Sequence, residues 1–461
     1  MAHKRIKKIL IANRGEIALR VIRACKELGI ATVSVYSKID EHSLHRRFSD
    51  SSVCVGEAPP GESYLNIPRI IAAAEISGAD AVHPGYGFLA ESAEFAHACH
   101  ENNLIFIGPS AEIIRSMGNK NEARRTMQDL NIPIIPGSVA LTDLDMALKE
   151  AKRIGYPVML KASHGGGGRG MRLCRKPKHL EQAFNITKHE AQASFGNDEI
   201  YLEKFIEHAR HIEVQILADT HGNCLYLGER DCSIQRRKQK LIEETPSPFL
   251  EQNTRLKINT VAAEAAKQLA YVGAGTIEFL MDAKKNFYFM EMNTRIQVEH
   301  TISELYTGID IVKQQIQVAA GQKLHLEQEK LIFRGHVIEC RINCEDIYKG
   351  FTPVAGKIGR CHFPQGLGVR VDTHIYSGYT IPPNYDSMLA KLIVWGLDRE
   401  EAISRMQRSL SEFVIENIPT TIPFHQQMMG NKYFKQGKFD INFLDKFEIA
   451  PPKKTSSGVF S

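Results

Sequence analysis

The chain has 461 residues, 43% of them hydrophobic and 24% charged, which is typical of a globular protein with roughly two to four domains. Lys and Arg outnumber Asp and Glu by 58 to 53, and a net charge of +5 over this length gives no case for nucleic acid binding. No apolar run reaches the ~18–20 residues needed to cross a bilayer, which argues against a membrane protein.

Targeting and cysteine patterns favour a cytoplasmic protein. Basic residues precede the apolar run 9–12, but this run is too short for the core of a signal peptide. The nine cysteines show no zinc or redox spacing, and scattered cysteines are typical of reduced thiols that pack in the interior.

The N-terminal part alternates strand and helix patterns. The predicted elements are strand 8–12, helix 15–28, strand 32–36, strand 79–83, helix 90–102 and strand 104–107. This alternation predicts a doubly wound, Rossmann-like α/β domain with a parallel sheet over residues 1–118. The turn at residues 83–88 follows a strand, which is where such sheets bind ligands.

A second domain is expected over residues 119–334, with a lid at about 133–206. Its predicted helices are 122–130, 143–154 and 254–271, and its predicted strands are 156–162, 171–174, 200–205, 211–218, 224–228, 275–281 and 287–292. A third, mixed β/α domain is expected over 335–448, with a strand at 388–394 and a helix at 399–413. Residues 449–461 have the composition of a disordered tail.

The glycine run at residues 165–170 predicts a phosphate-binding lid. It formally satisfies G-x-G-x-x-G, but a strand follows it, whereas a dinucleotide site requires a helix there. A hairpin with bare backbone amides can lie over phosphates, and Lys161 and Lys120 would offset the charge of a triphosphate. A plain flexible linker is the alternative interpretation.

Residues 291–300 carry the densest group of chemically useful side chains. Glu291 and Asn293 project from the same face of a strand, and Glu278 lies on the strand expected to pair with it. Such an oxygen set suits one or two Mg²⁺ ions, although a solvated hairpin face is the alternative. The cationic segment 231–240 is either a charged surface turn or an anion site that combines Lys240 with Arg295.

These segments together resemble the biotin carboxylase subunits of acetyl-CoA carboxylases, which are ATP-grasp enzymes with a glycine-rich lid. The resemblance covers nearly the whole chain, from residue 11 to about residue 444. It rests on Ile-Ala-Asn-Arg-Gly-Glu-Ile at 11–17, His-Pro-Gly-Tyr-Gly-Phe-Leu at 83–89, Lys-Ala-Ser at 161–163, Gly-Glu-Arg-Asp-Cys-Ser at 228–233, residues 291–300, and Glu-Cys-Arg-Ile-Asn at 339–343.

The resemblance implies roles for individual residues. The implied ATP contacts are Lys120, Lys161, Gly167, Gly168, Glu203, Lys204, Phe205, Ile206, His211, Lys238 and Glu278. The implied ligands of two Mg²⁺ or Mn²⁺ ions are Glu278, Glu291 and Asn293. The implied bicarbonate pocket contains Lys240, Arg295, Gln297, Val298 and the general base Glu299. Arg341 and Tyr86 would contact biotin, and the implied catalytic residues are Lys240, Arg295, Glu299 and Arg341.

Two positions depart from the family pattern. Lys238 stands where the family usually has histidine, and a lysine can donate to phosphate or ribose oxygens but cannot accept. His164 stands at the first glycine of the lid loop.

The implied activity is ATP- and bicarbonate-dependent carboxylation of biotin through carboxyphosphate, the first half-reaction of acetyl-CoA carboxylase in fatty acid synthesis. The sequence contains no Ala-Met-Lys-Met signature for biotin attachment and ends too early for a carboxyltransferase. We therefore expect a separate biotin carboxyl carrier protein and a separate carboxyltransferase as partners.

A homodimer is also implied. Helix 15–28 is expected to expose Arg20, Arg23 and Glu27, and Arg23, Glu27 and Arg370 match positions that support a dimer in the family. Leu367 replaces an aromatic residue near that interface.

Other functions remain as alternatives. The same subunit would serve equally in a pyruvate or propionyl-CoA carboxylase. Another ATP-grasp ligase would share the metal hairpin and the lid, but not the bicarbonate residues or Arg341. A noncatalytic nucleotide-binding regulator would be expected to have lost the metal ligands or the base, and both are present.

Overall fold

The computed structural model describes residues 6–163 and 170–451. Gly167, Gly168 and His164 of the predicted lid loop lie outside these residues, as does the predicted tail from residue 452 onward. Within the described part of the chain, no helix is both long and apolar enough to cross a membrane. All nine cysteines are free, as predicted.

The N-terminal part forms a five-stranded parallel sheet, which confirms the predicted doubly wound fold. Its elements are β1 (Lys8–Ile11), α1 (Gly15–Glu27), β2 (Ala31–Ser37), α2 (Leu44–Phe48), β3 (Ser51–Gly56), α3 (Ile67–Ser77), β4 (Ala81–His83), α4 (Ala93–Glu101), β5 (Ile105–Phe106) and α5 (Ala111–Gly118). The strand order is β3-β2-β1-β4-β5, so the topological switch point lies between β1 and β4. Tyr86 lies in the turn after β4, at this ligand-binding edge of the sheet.

The next part forms a small three-stranded antiparallel sheet flanked by helices. Its elements are α6 (Lys120–Asp129), α7 (Leu144–Ile154), β6 (Val158–Ala162), β7 (Met171–Cys174), α8 (Pro177–Phe195) and β8 (Ile200–Lys204). The strand order is β7-β6-β8, and Lys161 pairs with Met171. The predicted strand–loop–strand hairpin is therefore present on both sides of the undescribed glycine run.

An eight-stranded antiparallel sheet spans the rest of the molecule. Its first elements are β9 (Arg210–Ala218), β10 (Cys224–Arg236), β11 (Gln239–Thr245), α9 (Gln252–Gln268), β12 (Gly273–Met281), β13 (Phe287–Asn293), α10 (His300–Thr307) and α11 (Ile311–Ala319). The later elements are β14 (His336–Asn343), β15 (Glu345–Asp346), β16 (Thr352–Pro353), β17 (Gly356–Lys357), β18 (Cys361–His362), β19 (Val369–Thr373), β20 (Thr380–Ile381), β21 (Met388–Gly396), α12 (Arg399–Glu412), β22 (Val414–Ile415), α13 (Ile422–Gly430) and α14 (Lys432–Lys435). The order is β13-β12-β9-β10-β11-β14-β21-β19, so one sheet crosses the expected domain limit at residue 334.

Most of the cationic segment 231–240 lies in two strands and not in a surface turn. Strand β10 continues through Arg236, and β11 begins at Gln239, so only Arg237 and Lys238 form the loop. Both residues have positive φ, 48° and 67°, which is the backbone shape of a two-residue hairpin loop that follows the natural twist of the strands. The hairpin therefore carries Lys240 back along the sheet.

A buried ion-pair cluster joins the three parts of the chain. Arg20 of α1 donates to Glu304 of α10 at 2.7 Å and to Asp310 at 2.6 Å, and Arg370 of β19 donates to Glu304 at 2.7 Å. The expectation that Arg20 is exposed is wrong, because α1 packs against α11 and β19 as well as against its own sheet. Arg23 and Glu27 are exposed as expected.

Glu304 contributes stability that depends on pH. Burial alone would raise the pKa of Glu304, but charge from His300, Arg20 and Arg370 lowers this pKa from 4.5 to about 2. Because burial lowers the pKa of His300 to about 3, this histidine is neutral at pH 7 and the arginines provide the attraction there. The stabilisation is present above pH 4.5 and is lost as the pH falls through 2.

We predict that Glu304→Gln lowers the melting temperature at pH 7, with a loss of unfolding free energy of about 3 kcal/mol. The deficit should shrink as the pH is lowered from 4.5 towards 2, measured by calorimetric melting across this range. Glu412→Gln is the control, because its ion pair with Arg408 is exposed on both sides and should contribute less than about 1 kcal/mol. Equal melting temperatures for Glu304→Gln and the unmodified protein at pH 7 would contradict the prediction.

Candidate active site

A row of charged side chains crosses the eight-stranded sheet. Arg230 of β10 lies opposite Glu213 of β9, Glu213 lies opposite Glu278 of β12, and Glu278 lies opposite Glu291 of β13. The intervening residues of these strands, such as Ile212 and Ile277, point to the other face and pack in a hydrophobic core. The period-2 pattern thus places basic and acidic groups side by side on one face.

Lys240 neutralises three carboxylates of this site. Its ammonium lies 2.5 Å from Glu213, 2.9 Å from Glu278 and 2.7 Å from Glu299. Burial opposes the charged form, but the three carboxylates raise the pKa of Lys240 well above its ordinary value. The sequence left open whether Lys240 belongs to a surface turn, and the structure brings it into the site.

Arg230 organises the floor of the site and was not among the predicted site residues. It is fully buried and donates five hydrogen bonds. The acceptors are Glu213, Gln215, Ser303, Thr276 and Gln297. Arg230 belongs to the motif at residues 228–233 but was given no role from the sequence, because an arginine between Glu229 and Asp231 has the surroundings of a surface residue.

Glu299 lies at the start of α10 between two cations. Its Oε1 accepts from Lys240 at 2.7 Å, and its Oε2 accepts from Arg341 at 2.9 Å. Burial would raise the pKa of Glu299, but Lys240, Arg341 and Arg230 hold this pKa well below its usual range. Glu299 is therefore an ionised carboxylate at neutral pH.

Arg341 lies on β14, which β10 and β11 separate from strands β9, β12 and β13, and its side chain reaches Glu299. Its Nε donates to Glu243 at 2.6 Å while its NH2 donates to Glu299. Burial and the charge of Glu299 raise the pKa of Glu243 to about 7, against the opposing effect of Arg341. Tyr86, the other predicted biotin contact, donates to the buried carboxylate of Glu16.

Gln297 and Arg295 connect the bicarbonate segment to the metal strands. Gln297 donates to Glu278 at 2.6 Å and accepts from Arg230 at 2.7 Å. Arg295 donates to Asn293 and to Glu91, both at 2.9 Å. Residues predicted to serve different substrates therefore share one hydrogen-bond network.

The side-chain oxygens of Glu278, Glu291 and Asn293 are suitable ligands for a divalent cation. Glu278 and Glu291 are cross-strand neighbours, and Asn293 donates to Glu278 at 2.9 Å. Burial and the negative charge of Glu278 raise the pKa of Glu291. A hard cation between these groups relieves that repulsion, and carboxylate and amide oxygens are the ligands that Mg²⁺ prefers.

His211, another predicted nucleotide contact, lies beside the metal residues. Its Nε2 is 3.0 Å from Glu278 and 3.6 Å from Glu213. Burial lowers the pKa of His211, but Glu278 outweighs this effect and the pKa is raised overall.

Three lysines lie around one space between the lid and the large sheet. The pKa of Lys238 is lowered by burial and by the positive charges of Lys161 and Lys120, and Glu291 opposes this effect. The ammonium of Lys238 lies 2.7 Å from the sulfur of Met171 at the base of the lid. The hairpin loop therefore brings Lys238, which is also a predicted ATP contact, towards Lys161 and Lys120.

The segment Glu203 to Ile206, predicted to contact ATP, ties the lid to its surroundings. Glu203 is buried and forms ion pairs with Lys161 and Arg124. Lys204 donates to the carbonyls of Gly155 and Tyr156 at 2.8 and 2.9 Å, so its side chain is directed into the lid. The backbone of Phe205 donates to Pro157 at 3.0 Å.

The fold and this site define an ATP-grasp ligase: an antiparallel sheet with a carboxylate pair and a cationic space beneath a small lid sheet. Three family models match successive parts of the chain. They are the biotin carboxylase N-terminal domain at residues 5–114, the ATP-binding domain of the carbamoyl-phosphate synthase L chain at 119–327, and the biotin carboxylase C-terminal domain at 339–446.

Similar proteins and structures identify the family. A biotin carboxylase from Nostoc sp. is 54% identical over 95% of this chain and 98% of its own length. The structure of a biotin carboxylase–βγ-ATP complex from Campylobacter jejuni is 50% identical, with a TM-score of 0.93 over 96% of this chain and 99% of its own. The biotin carboxylase domain dimer of 2-oxoglutarate carboxylase from Hydrogenobacter thermophilus, in complex with MgADP, ADP and bicarbonate, is 48% identical, with a TM-score of 0.92 over 96% and 98%. The chain belongs to the biotin carboxylase family and is an ATP-dependent ligase that carboxylates biotin.

Proposed function

We propose that this chain carboxylates biotin on a separate carrier protein and that the residues of the charged row divide the work. The observation that carries the proposal is Glu299, an ionised carboxylate held between Lys240 and Arg341 at 2.7 and 2.9 Å. It joins the nucleotide strands on one side to Arg341 on the other. A base in this position can act on bicarbonate while both the nucleotide and biotin are within reach.

The nucleotide is bound between the lid and the strands β9, β12 and β13. Lys120, Lys161 and Lys238 lie around the space for its phosphates, with Gly167 and Gly168 as further proposed contacts. Glu203 to Ile206 and His211 complete the proposed ATP site. Magnesium, or manganese, held by Glu278, Glu291 and Asn293 would neutralise phosphate charge and align the polyphosphate.

Bicarbonate is bound by Lys240, Arg295, Gln297 and the backbone of Val298. Glu299 accepts the proton of bicarbonate, and the resulting oxyanion attacks the γ-phosphorus of ATP in line as ADP leaves. Lys240 and Arg295 stabilise the negative charge that develops. The product, carboxyphosphate, breaks down to CO₂ and phosphate. The closed lid excludes water and so prevents the hydrolysis of carboxyphosphate before this breakdown.

Biotin is bound beside Arg341 and Tyr86. The released phosphate takes the proton from N1 of biotin, and Arg341 stabilises the enolate oxygen as N1 captures CO₂. Because Arg341 is anchored by Glu243 at 2.6 Å, its guanidinium keeps one orientation through this step. Glu299 returns its proton to solvent before the next cycle.

Glu299→Gln tests the base. We expect the bicarbonate-dependent hydrolysis of ATP to fall by about 10²–10⁴-fold, because an amide cannot accept the proton. The measurement is release of ADP with and without bicarbonate, and Glu57→Gln at the exposed pair with Lys38 is the control. Full bicarbonate-dependent activity in Glu299→Gln would refute the assignment.

Arg341→Ala tests the enolate step. The rate of carboxylation of free biotin should fall by about 10²–10³-fold while the KM for ATP changes by less than about 2-fold. Arg360→Ala, which removes an exposed arginine paired with Glu416, is the matched control. An equal loss of biotin carboxylation and of ATP affinity would remove Arg341 from this role.

Lys238→His tests the third cation of the phosphate space. A histidine is charged only below about pH 6.5, so the KM for ATP of this variant should rise several-fold between about pH 6 and pH 8. The unmodified enzyme should show no such rise, because a bound polyphosphate favours the charged form of lysine. Steady-state kinetics at several pH values check this, and a KM that follows the same pH profile in both proteins would contradict it.

The partners and the acyl acceptor are part of the proposal. We propose a biotin carboxyl carrier protein, a separate carboxyltransferase, a homodimer and a cytoplasmic location, with acetyl-CoA as the final acceptor. The dimer is supported by the relative from Hydrogenobacter thermophilus, and Arg23, Glu27 and the 84% exposed Leu367 are available on the surface for it. That same relative is a 2-oxoglutarate carboxylase, so other acceptors, such as pyruvate or propionyl-CoA, are the alternative. Affinity capture from the source cells, followed by identification of the biotinylated carrier and its transferase, distinguishes them.

A further inference from the structure

Lys391 is a fully buried lysine in the middle of β21, where an apolar residue would be expected. It lies opposite Arg341 of β14 and Asp372 of β19. The carboxylate of Asp372 is already held by Arg370 at 2.8 and 2.6 Å. The reason for a charge at position 391 therefore lies elsewhere.

The ammonium of Lys391 leaves its own sheet and reaches the loop before α10. It donates to the carbonyl oxygen of Val298 at 2.8 Å. Because a peptide unit is planar, fixing this oxygen also fixes the N–H and the Cα of the next residue, Glu299. Lys391 therefore contacts the peptide unit from which the side chain of Glu299 extends to Lys240 and Arg341.

Lys391 is itself held from the N-terminal part of the chain. Its ammonium lies 3.1 Å from Oε1 of Glu16, near the start of α1, and the same oxygen accepts from the hydroxyl of Tyr86. The other oxygen of Glu16 is buried and has no hydrogen-bond partner within residues 6–163 and 170–451. One oxygen of Glu16, Oε1, therefore contacts both Lys391 and Tyr86.

We propose that Lys391 is a positioning residue for bicarbonate activation, which it supports by holding the peptide between Val298 and Glu299. Glu16 fixes Lys391 in turn, so the biotin-side residue Tyr86 and the bicarbonate loop are supported by one buried carboxylate. The inference rests on the proposed role of Glu299 as the base. It gives the C-terminal part of the chain a task in the bicarbonate step in addition to the contact made by Arg341.

The test is the effect of Lys391→Met on separate kinetic constants. A freed Val298–Glu299 peptide should raise the KM for bicarbonate by about 10-fold and lower kcat, with the KM for ATP within about 2-fold of the unmodified enzyme. A merely structural role would lower all constants in proportion to the fraction unfolded. Lys38→Met, at an exposed lysine, is the control.

Glu16→Gln is the second variant, and it decides the matter if Lys391→Met does not fold. It keeps the size of the side chain and an acceptor for Tyr86 but removes the charge next to Lys391, so the KM for bicarbonate should rise by about 3-fold with the KM for ATP unchanged. An unchanged KM for bicarbonate in a folded variant, or an equal rise in both KM values, would overturn the inference. If the unmodified enzyme lacks bicarbonate-dependent ATPase activity, the proposed function fails first, which is a separate result.

Discussion

The site depends on the neutralisation of buried carboxylates by Lys240. Glu213, Glu278 and Glu299 are all within 2.5–2.9 Å of its ammonium, in a sheet face that water hardly reaches. Buried charges of one sign repel strongly and lose their hydration, so such a group is stable only when cations and hydrogen bonds satisfy it. Arg230 donates to the other oxygen of Glu213, Arg341 donates to the other oxygen of Glu299, and His211 faces the other oxygen of Glu278.

The three lysines of the proposed phosphate site lie apart from the row of carboxylates on the sheet, which Lys240 and Arg230 contact directly. The acidic residues lie on the sheet, where each is fixed by strand register, and Lys120, Lys161 and Lys238 lie towards the lid. Under the proposed function, a nucleotide polyphosphate would lie between these lysines and the carboxylates, and a divalent cation held by the carboxylates would neutralise part of its charge.

The sequence predicts the parts of the fold and the site that follow from local periodicity. Alternation along β12 and β13 places Glu278 and Glu291 on one face. In the structure the two strands pair antiparallel, as predicted, and the two residues are cross-strand neighbours. Alternation does not predict which distant strands are neighbours, and Lys240 reaches the site through a hairpin whose pairing with β10 contains two irregularities.

Residues that act as buried partners were the hardest to predict. Arginine and lysine usually lie on the surface, and only the tertiary structure shows the buried acceptors of Arg230 and Lys391. Arg20 was wrongly expected on the surface, because an amphipathic pattern shows one buried stripe but not a second helix packed on the polar side. Strand β3 and helices α3 and α8 were not predicted either.

The pairing of β11 with β14 has a consequence for how this chain can be divided. Ile242 lies opposite Cys340, and Glu243 lies opposite Glu339, in the middle of the large sheet. A fragment that stops at residue 334 would turn β11 into an open edge and uncover apolar side chains such as Leu241 and Ile242. Open apolar edges recruit other chains, so such a fragment would aggregate before it could bind nucleotide. The predicted nucleotide and bicarbonate residues all lie before residue 334, but a folded unit that carries them must extend past it.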